Sequence, residues 1–373
     1  MDQNIPINAL SLLFIIAFFI QIYYYLFVFS KLAFYKLPLQ IKVDFPVSII
    51  ICAKNESENL INILPLIFEQ EYSNFEVVVV NDCSWDDTKE ILEAMQIKHK
   101  QLHVVTLQES DSFSGGKKLA LTLGIKGAKY DHFLLTDADC RPTSKFWLQK
   151  MANSFGKENS FVLGYSSYEK AKGILNKIIR FDGFFVGLQY LSYAVRKNPY
   201  MGVGRNLAYT KDVFFKSSGF KSHYHIPSGD DDLFVNQAAT PTNTTICVDK
   251  DAQTTTKGKT TWQTYWRQKR RHFTTSKLYK TSHQFSLSIY PISLFIFMSS
   301  FVGLIFFSPY RFIALGIFIV RIIIQIFIFT HSSKYLRGNR DIIWLMPFGE
   351  LILLFINPAI HISNKFSKQV RWK

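Results

Sequence analysis

At 373 residues the chain allows one or two domains, and its 48% hydrophobic content with 35 Phe is rich for a soluble enzyme. The formal charge of +15 could serve phosphate binding, but much of the excess flanks apolar stretches, where it sets topology and meets anionic lipid, so no nucleic-acid partner is expected. Cys52, Cys83, Cys140 and Cys247 show neither CxxC spacing nor a zinc-type His cluster, which argues against structural zinc and for reduced thiols in a cytosolic compartment.

In chain order, Ile7 to Phe29 is nearly uncharged, with Gln21 its one strongly polar interior residue, and is long enough to cross a hydrocarbon core of about 30 Å. A cleaved signal fits poorly, because Asp2 and no Lys or Arg precede the run and no small-residue cleavage pattern follows. Lys31, Lys36 and Lys42 come straight after it, which predicts residues 31 to 286 inside and the amino terminus outside. Val47 to Ala53 is a continuous apolar run, the pattern of a strand buried on both faces of a parallel sheet, and Asn55-Glu56-Ser57-Glu58 opens a helix. Val77 to Val80 repeats the strand signal, Ser84 to Asp87 starts a second helix, and Leu102 to Leu107 is a third strand before a Gly115-Gly116 turn and a helix from Lys117 to Ala128. The β-α-β-α-β order implies a parallel sheet.

Ile174 to Val195 holds Lys177, Arg180 and Asp182 among apolar residues and reads either as a helix in the membrane surface or as one buried in a soluble core. Further spans are expected at Leu287 to Ser308, Phe312 to Thr330 and Ile342 to Pro358, with Arg321 and Glu350 facing protein. Strict alternation puts the tail, with Lys365, Lys368, Arg371 and Lys373, outside, against the positive-inside tendency. With Pro347 and Glu350 present, a re-entrant hairpin is the alternative for the last segment. The implied domains are an anchor and linker at 1–44, a cytosolic domain at 45–280 and a membrane region with a basic tail at 281–373.

Three polar clusters follow strand signals: Lys54-Asn55-Glu56, Asn81-Asp82 and Asp137-Ala138-Asp139. In an open α/β sheet the carboxyl ends of parallel strands border the ligand site, so the clusters are expected to converge on one molecule. Asp137 and Asp139, two apart, leave the same face of an extended segment, and one divalent ion can meet both while phosphate oxygens and water fill its other positions.

The ordered set resembles the inverting, nucleotide-sugar-dependent family-2 glycosyltransferases. The resemblance covers about residues 45 to 275. It rests on Ala53-Lys54-Asn55-Glu56, on Asn81-Asp82-Cys83-Ser84-Trp85-Asp86 for the family's DDGSxD, on Gly116-Lys117 for GK and on Asp137-Ala138-Asp139 for DxD. Gly229-Asp230-Asp231 stands for the acidic pair, and Gln268-Lys269-Arg270-Arg271-His272 for QxxRW. Each element alone is weak; together and in order they are specific. The resemblance implies an α/β, Rossmann-like GT-A domain of the nucleotide-diphospho-sugar transferase type with flanking transmembrane helices, and a Mg²⁺ or Mn²⁺ cofactor.

By the same resemblance Ala53, Glu56 and Asp82 hold the donor's base and ribose, and Lys117 approaches the bound nucleotide. Asp137 serves the donor and, with Asp139, the metal. Gln268 and Arg271 bind the diphosphate, Arg by two parallel hydrogen bonds. Asp231 aligns with the catalytic base, with Asp230 as fallback, and a crowd of carboxylates raises one pKa toward working pH. Gly204 and Asn206, in Met201 to Ala208, and His272, standing for the family's Trp, are the acceptor side. Asn81 and Cys83 replace an Asp and a turn Gly, and Cys does not readily take the positive φ that Gly allows. The implied activity is transfer of a sugar from a nucleotide diphosphate donor to a lipid, lipid-linked or glycan acceptor at the cell inner membrane. A processive polysaccharide synthase is the rival within the class, and a catalytically silent membrane scaffold the rival outside it.

Overall fold

The protein, represented by a computed structural model, is described over residues 4–39, 41–108, 116–156, 159–338 and 340–366. Asp2, Gly115, Lys368, Arg371 and Lys373 of the sequence reading lie outside those residues.

The first apolar run forms α1 (Asn4–Tyr23), a π-helical stretch (Tyr24–Phe29) and α2 (Ser30–Ala33), one rod followed by the linker to the globular part. Then come β1 (Val47–Ala53), α3 (Ser57–Phe68), β2 (Phe75–Asp82), α4 (Thr88–Lys98), β3 (Leu102–Leu107), α5 (Lys117–Gly127) and β4 (His132–Asp137). The second half holds β5 (Cys140–Pro142), α6 (Trp147–Asn153), β6 (Phe161–Leu163), β7 (Ser166–Tyr168), α7 (Ile174–Val195), β8 (Leu207–Thr210) and α8 (Lys211–Lys216). It continues through α9 (Asp232–Ala238), β9 (Thr244–Ile246), β10 (Thr254–Thr256) and α10 (Trp262–His272), and closes with α11 (Thr281–Phe307), α12 (Arg311–Ser332) and α13 (Met346–Lys365).

A seven-stranded sheet runs β3-β2-β1-β4-β8-β6-β9, and a three-stranded one β5-β10-β7. The first four strands of the large sheet are parallel, as the alternation of strands and helices dictates. The three strands expected to be parallel are so; farther along the sheet β8 is antiparallel to both β4 and β6, while β6 and β9 again pair in parallel.

Every residue of β1 is buried, and alternate side chains feed two cores. Ile49 and Ile51 pack with Leu60, Ile63 and Leu92 of α3 and α4, while Ile50 and Cys52 share a core with α5, α7 and the apolar helices. α5 lies close on the sheet: a Cβ on Gly124 would meet Ile50 Cγ2 at 2.9 Å and Val80 Cγ2 at 3.0 Å. The α7 alternative resolves toward burial, for the helix is covered along most of its length, and buried Arg180 bonds Asp341 at 3.0 Å.

Four helical segments are long and apolar enough to cross a membrane: Ile7–Ala33, Thr281–Phe307, Arg311–Ser332 and Arg340–Lys365. Their polar residues face one another. Arg321 Nη2 donates to Glu350 at 2.7 Å, to Gln21 at 3.0 Å and to Tyr25 Oη at 2.8 Å, and Gln21 Nε2 donates to Ser293 at 2.8 Å. The last segment is continuous through α13, so the hairpin alternative is not what forms.

Candidate active site

Ala53, Asn81 and Asp137 end neighbouring parallel strands, with Ala53 in register with Asn81 and Cys52 with Asp137, so the three polar clusters share the carboxyl edge of one sheet. The first two loops are stitched together. Ser84 Oγ accepts from Asn55 N at 2.9 Å, Asn55 Oδ1 accepts from Trp85 N at 3.0 Å, and Asp86 Oδ2 accepts from Ser57 N at 3.2 Å, covering the start of α3. Although burial works against ionisation, bonds from Thr88 and Ser57 hold the Asp86 carboxyl below its usual range. Cys83 does take the left-handed conformation, at φ 53°, as the replaced Gly would; the strain is on the order of 1–2 kcal/mol.

Asp82 is fully buried and accepts from Gly116 N at 3.0 Å, fixing the entry to α5. The next residue, Lys117, joins the two acidic halves of the site: its Nζ lies 2.9 Å from Asp137 Oδ1 and 2.9 Å from Asp230 Oδ2. Burial favours its neutral amine, yet Asp137, Asp230 and Asp231 outweigh that and hold its pKa well above the ordinary value.

Asp230, Asp231 and Asp232 open α9, and one loop gives three carboxylates three environments. Burial pushes Asp230 up, but Lys117 and then Arg271 reverse it, leaving its pKa below the usual carboxylate value. Asp231 is raised to about 7 by burial and by the neighbouring Asp230 and Asp232, although Lys117 and a 2.7 Å bond from Gly204 N oppose the shift. Asp232, also raised by burial, accepts from Thr275 Oγ1 and from Tyr279 Oη at 2.8 Å. A carboxyl held near neutrality beside an ionised one is the arrangement expected of a general base.

Lys118 secures that loop from below, donating from Nζ to the carbonyls of His223 at 2.5 Å and Ile226 at 3.0 Å. Burial lowers its pKa to about 8 despite the three acids nearby. Lys118→Met leaves two carbonyls without this donor, so unfolding free energy should drop by about 1–3 kcal/mol in a denaturant titration. An unchanged midpoint would show that the ammonium does not brace the loop.

α10 distributes its polar side chains by helical period. Tyr265 and Lys269 reach Asp182, with Lys269 Nζ 2.8 Å from its Oδ2. Arg270 Nε donates to Asn364 Oδ1 of α13 at 2.9 Å. Gln268, Arg271 and His272 turn to the cavity. There the pKa of the His272 imidazole is pushed well down by desolvation and by Arg271, Lys269, Arg205 and Lys117.

Two adjoining cavities meet at Lys117, Asp137, Tyr168, Arg205, Gln268 and Arg271. One, of about 400 Å³, runs past Glu56, Asp139, Lys257, Lys259 and Arg267. The other, of about 620 Å³, starts at the three acids of α9 and extends between Phe185 of α7, Leu287 and Leu294 of α11 and Leu353 and Pro358 of α13. Asp139 therefore shares a cavity with Arg271, and Arg271 one with Asp231. Ala53 and Asp82 stay behind the wall as supports. Glu56 borders the smaller cavity while accepting from Asn59 Nδ2 at 2.6 Å.

The acceptor-side reading of Asn206 is corrected. It is fully buried, donates to the carbonyls of Tyr165 at 2.9 Å and Ala252 at 2.8 Å, and accepts from Trp147 Nε1 at 3.0 Å, so its amide is consumed inside the core. Its neighbour Arg205 is the residue the sequence reading passed over. The Arg205 guanidinium stacks on Tyr168, 4.6 Å from ring centre, and its buried Nη1 has no hydrogen-bond partner among the described residues. A cation directly after the conformationally placed Gly204 was the available signal.

Asp137, Asp139 and Cys140 bring ligand atoms within 4.8 Å of one another. Burial, then Asp139 and Asp137, raise the Cys140 thiol well above its ordinary pKa, and Sγ donates to Asp139 Oδ1 at 3.4 Å. What remains for a cation is a pair of hard oxygen donors, which fits Mg²⁺ or Mn²⁺ rather than a thiophilic metal.

Residues 48–220 match the family profile described as Glycosyl transferase family 2. An uncharacterized glycosyltransferase of Haemophilus influenzae is 27% identical over 155 residues, 41% of this chain and 44% of that protein. The poly-beta-1,6-N-acetyl-D-glucosamine synthase of Staphylococcus aureus is 32% identical over 93 residues, 25% of this chain and 21% of the synthase. The chain thus spans less than half the length of these curated relatives. A solved mannosyltransferase from Pyrobaculum calidifontis, in complex with GDP-Man and Mn²⁺, superposes with TM-score 0.60 at 17% identity, covering 97% of this chain and all of that one, which establishes a shared fold.

Proposed function

From the match of residues 48–220 to the glycosyl transferase family 2 profile, we propose that the protein is a membrane-bound, inverting glycosyltransferase that moves a sugar from a nucleotide diphosphate donor to the hydroxyl of a lipid or lipid-linked acceptor. The observation that carries the reading is the junction of the two cavities at Lys117, Gln268 and Arg271, with the oxygen pair Asp137 and Asp139 on one side and Asp231 on the other.

The smaller cavity suits the donor. Glu56 borders the end toward β1, while Lys257, Lys259, Arg267, Arg271 and Arg205 surround the phosphate position with positive charge. The unpartnered Nη1 of Arg205 is a donor without an acceptor, and a diphosphate oxygen would supply one. A divalent ion held by Asp137 and Asp139 would contribute further neutralisation of the diphosphate charge. Arg271, fixed by α10, stabilises the leaving diphosphate; Asp231 removes the acceptor proton. Lys117 keeps Asp230 ionised, and Asp230 in turn raises Asp231.

The larger cavity suits the acceptor: polar where Asp231 and His272 meet it, apolar where α7, α11 and α13 line it. That gradient matches a hydroxyl-bearing headgroup on a hydrocarbon chain entering from the bilayer, with the catalytic domain on the cytoplasmic side of the inner membrane. Similarity to a polysaccharide synthase over 93 residues keeps repeated addition as a second outcome.

The test is purified protein incubated with a panel of nucleotide diphosphate sugars and membrane lipid extract, with and without Mg²⁺ or Mn²⁺. Metal-dependent appearance of one sugar per lipid, with release of nucleoside diphosphate, is expected. A ladder of sugar lengths would establish the synthase reading, and no turnover with any donor would remove the enzyme assignment.

A further inference from the structure

The last apolar helix is long enough to cross a bilayer, yet its contacts run the wrong way for a crossing. After α12 ends at Ser332, the chain returns to the linker and the globular domain: Tyr335 Oη donates to Tyr35 O of the linker, while in the domain Arg337 N donates to Gln253 Oε1 at 3.1 Å and Asp341 lies 3.2 Å from Lys170 Nζ and 3.0 Å from Arg180 Nη1. At the other end, Trp266 Nε1 of α10 donates to Ser363 Oγ at 3.3 Å, Arg270 and Asn364 exchange two bonds of 2.9 and 3.0 Å, and the Phe273 and His361 rings lie 4.4 Å apart.

Asp341 and Asn364 are separated by about 34 Å of helix at the usual rise per residue, more than the ~30 Å of a hydrocarbon core. If the helix crossed, one of these ends would leave the domain by that distance. Both are bonded to it. A 3-10 segment (Arg340–Leu345) leads into α13, which is unbroken from Met346 to Lys365, so the segment does not re-enter either.

We propose that α13 lies in the membrane surface on the same side as the glycosyltransferase domain, so that the described residues cross the bilayer three times and the end of α13 shares a side with the catalytic cavity.

The exposed face identifies the occupant. Trp344, Phe348, Phe355, Ile362 and Phe366 are exposed at offsets of four, seven, seven and four, one stripe of a helix, while Met346, Gly349, Glu350, Leu353 and Ile360 turn inward. The stripe is continuous with the crossing helices, because Glu350 on the inner face bonds Arg321 of α12. Its margins are basic: Lys177 Nζ sits 5.3 Å over the Trp344 ring, and Lys365 ends the helix. Aromatic residues facing outward beside lysines match the boundary between acyl chains and anionic headgroups. The orientation also places Lys365 with Lys31, Lys36 and Lys42, in line with the positive-inside tendency.

The inference rests on the membrane reading, and one experiment separates the two. Glu93→Cys (domain), Tyr310→Cys (turn between α11 and α12) and Lys365→Cys are placed singly in the full chain, with the parent protein as background. Each is exposed to a membrane-impermeant maleimide in sealed vesicles of both orientations. Lys365→Cys and Glu93→Cys should label from one face and Tyr310→Cys from the other. Labelling of Lys365→Cys from the Tyr310→Cys face would overturn the placement of α13 alone; labelling of Tyr310→Cys and Glu93→Cys from one face would overturn the membrane reading itself. A protease-cleavable peptide appended after Lys373 gives the same readout without a substitution, and it should be cut only from the Glu93 face.

Discussion

Asp231→Asn should lower sugar transfer by about 10²–10⁴-fold while the protein still binds its nucleotide diphosphate sugar, because the substitution removes a proton acceptor and leaves the cationic wall of the donor cavity intact. In the parent protein, the folded-state pKa of about 7 makes the ionised fraction, and hence the rate, fall close to tenfold per pH unit below neutrality and level off above it. Stability moves the other way. The folded Asp231 binds its proton more tightly than an unfolded Asp, whose pKa is about 3.9, so raising the pH from about 4 to 7 removes folding free energy. Melting temperatures of Asp231→Asn and parent should coincide near pH 4, with the variant ahead at pH 8. Calorimetric donor binding, a pH–rate profile and melting curves at the two pH values check each part. Residual turnover near the parent level would transfer the role of base to another group; a rate that stays flat from pH 5 to 8 would remove the titrating acid from the mechanism.

The acidic loop was legible in the sequence as three consecutive acids after a Gly, and it was the resemblance to the family that singled out Asp231 among them. Which acid keeps its proton was not legible, since that depends on Lys117, more than a hundred positions away, choosing Asp230 and Asp137 as partners. The parallel half of the sheet was legible for a local reason, a doubly buried strand followed by a helix start. The other half, where β8 alone runs against its neighbours and the strands have three or four residues, carries no such pattern. Asn206 shows the complementary limit. A glycine-bearing segment near an active site contains residues that face the ligand and residues that hold the segment in place, and adjacent Arg205 and Asn206 divide those duties by pointing opposite ways. Hydropathy located α13 but not its orientation, because length and composition are alike for a helix that crosses and one that lies flat; the ion pair at one end and the α10 contacts at the other decide between them.

The buried pair Arg321 and Glu350 leads to the second large effect. Arg321→Leu leaves the Glu350 carboxylate, among the described residues, with the hydroxyls of Tyr25 and Tyr290, at 2.9 and 2.6 Å, to answer its charge. Glu350→Leu leaves the guanidinium with Gln21, Gln325 and Tyr25. Either single substitution strands a charge where water does not reach and should cost about 3–5 kcal/mol. The double substitution strands none, so it should be more stable than either single variant, and a double-mutant cycle from unfolding in detergent should show coupling rather than additivity. The pair also joins α12 to α13, and α13 forms part of the apolar wall of the larger cavity. The single variants should therefore lose sugar transfer more than they lose donor binding, and the double variant should recover part of it. Additive losses in the cycle would mean that the two charges are answered by their other partners and not by each other.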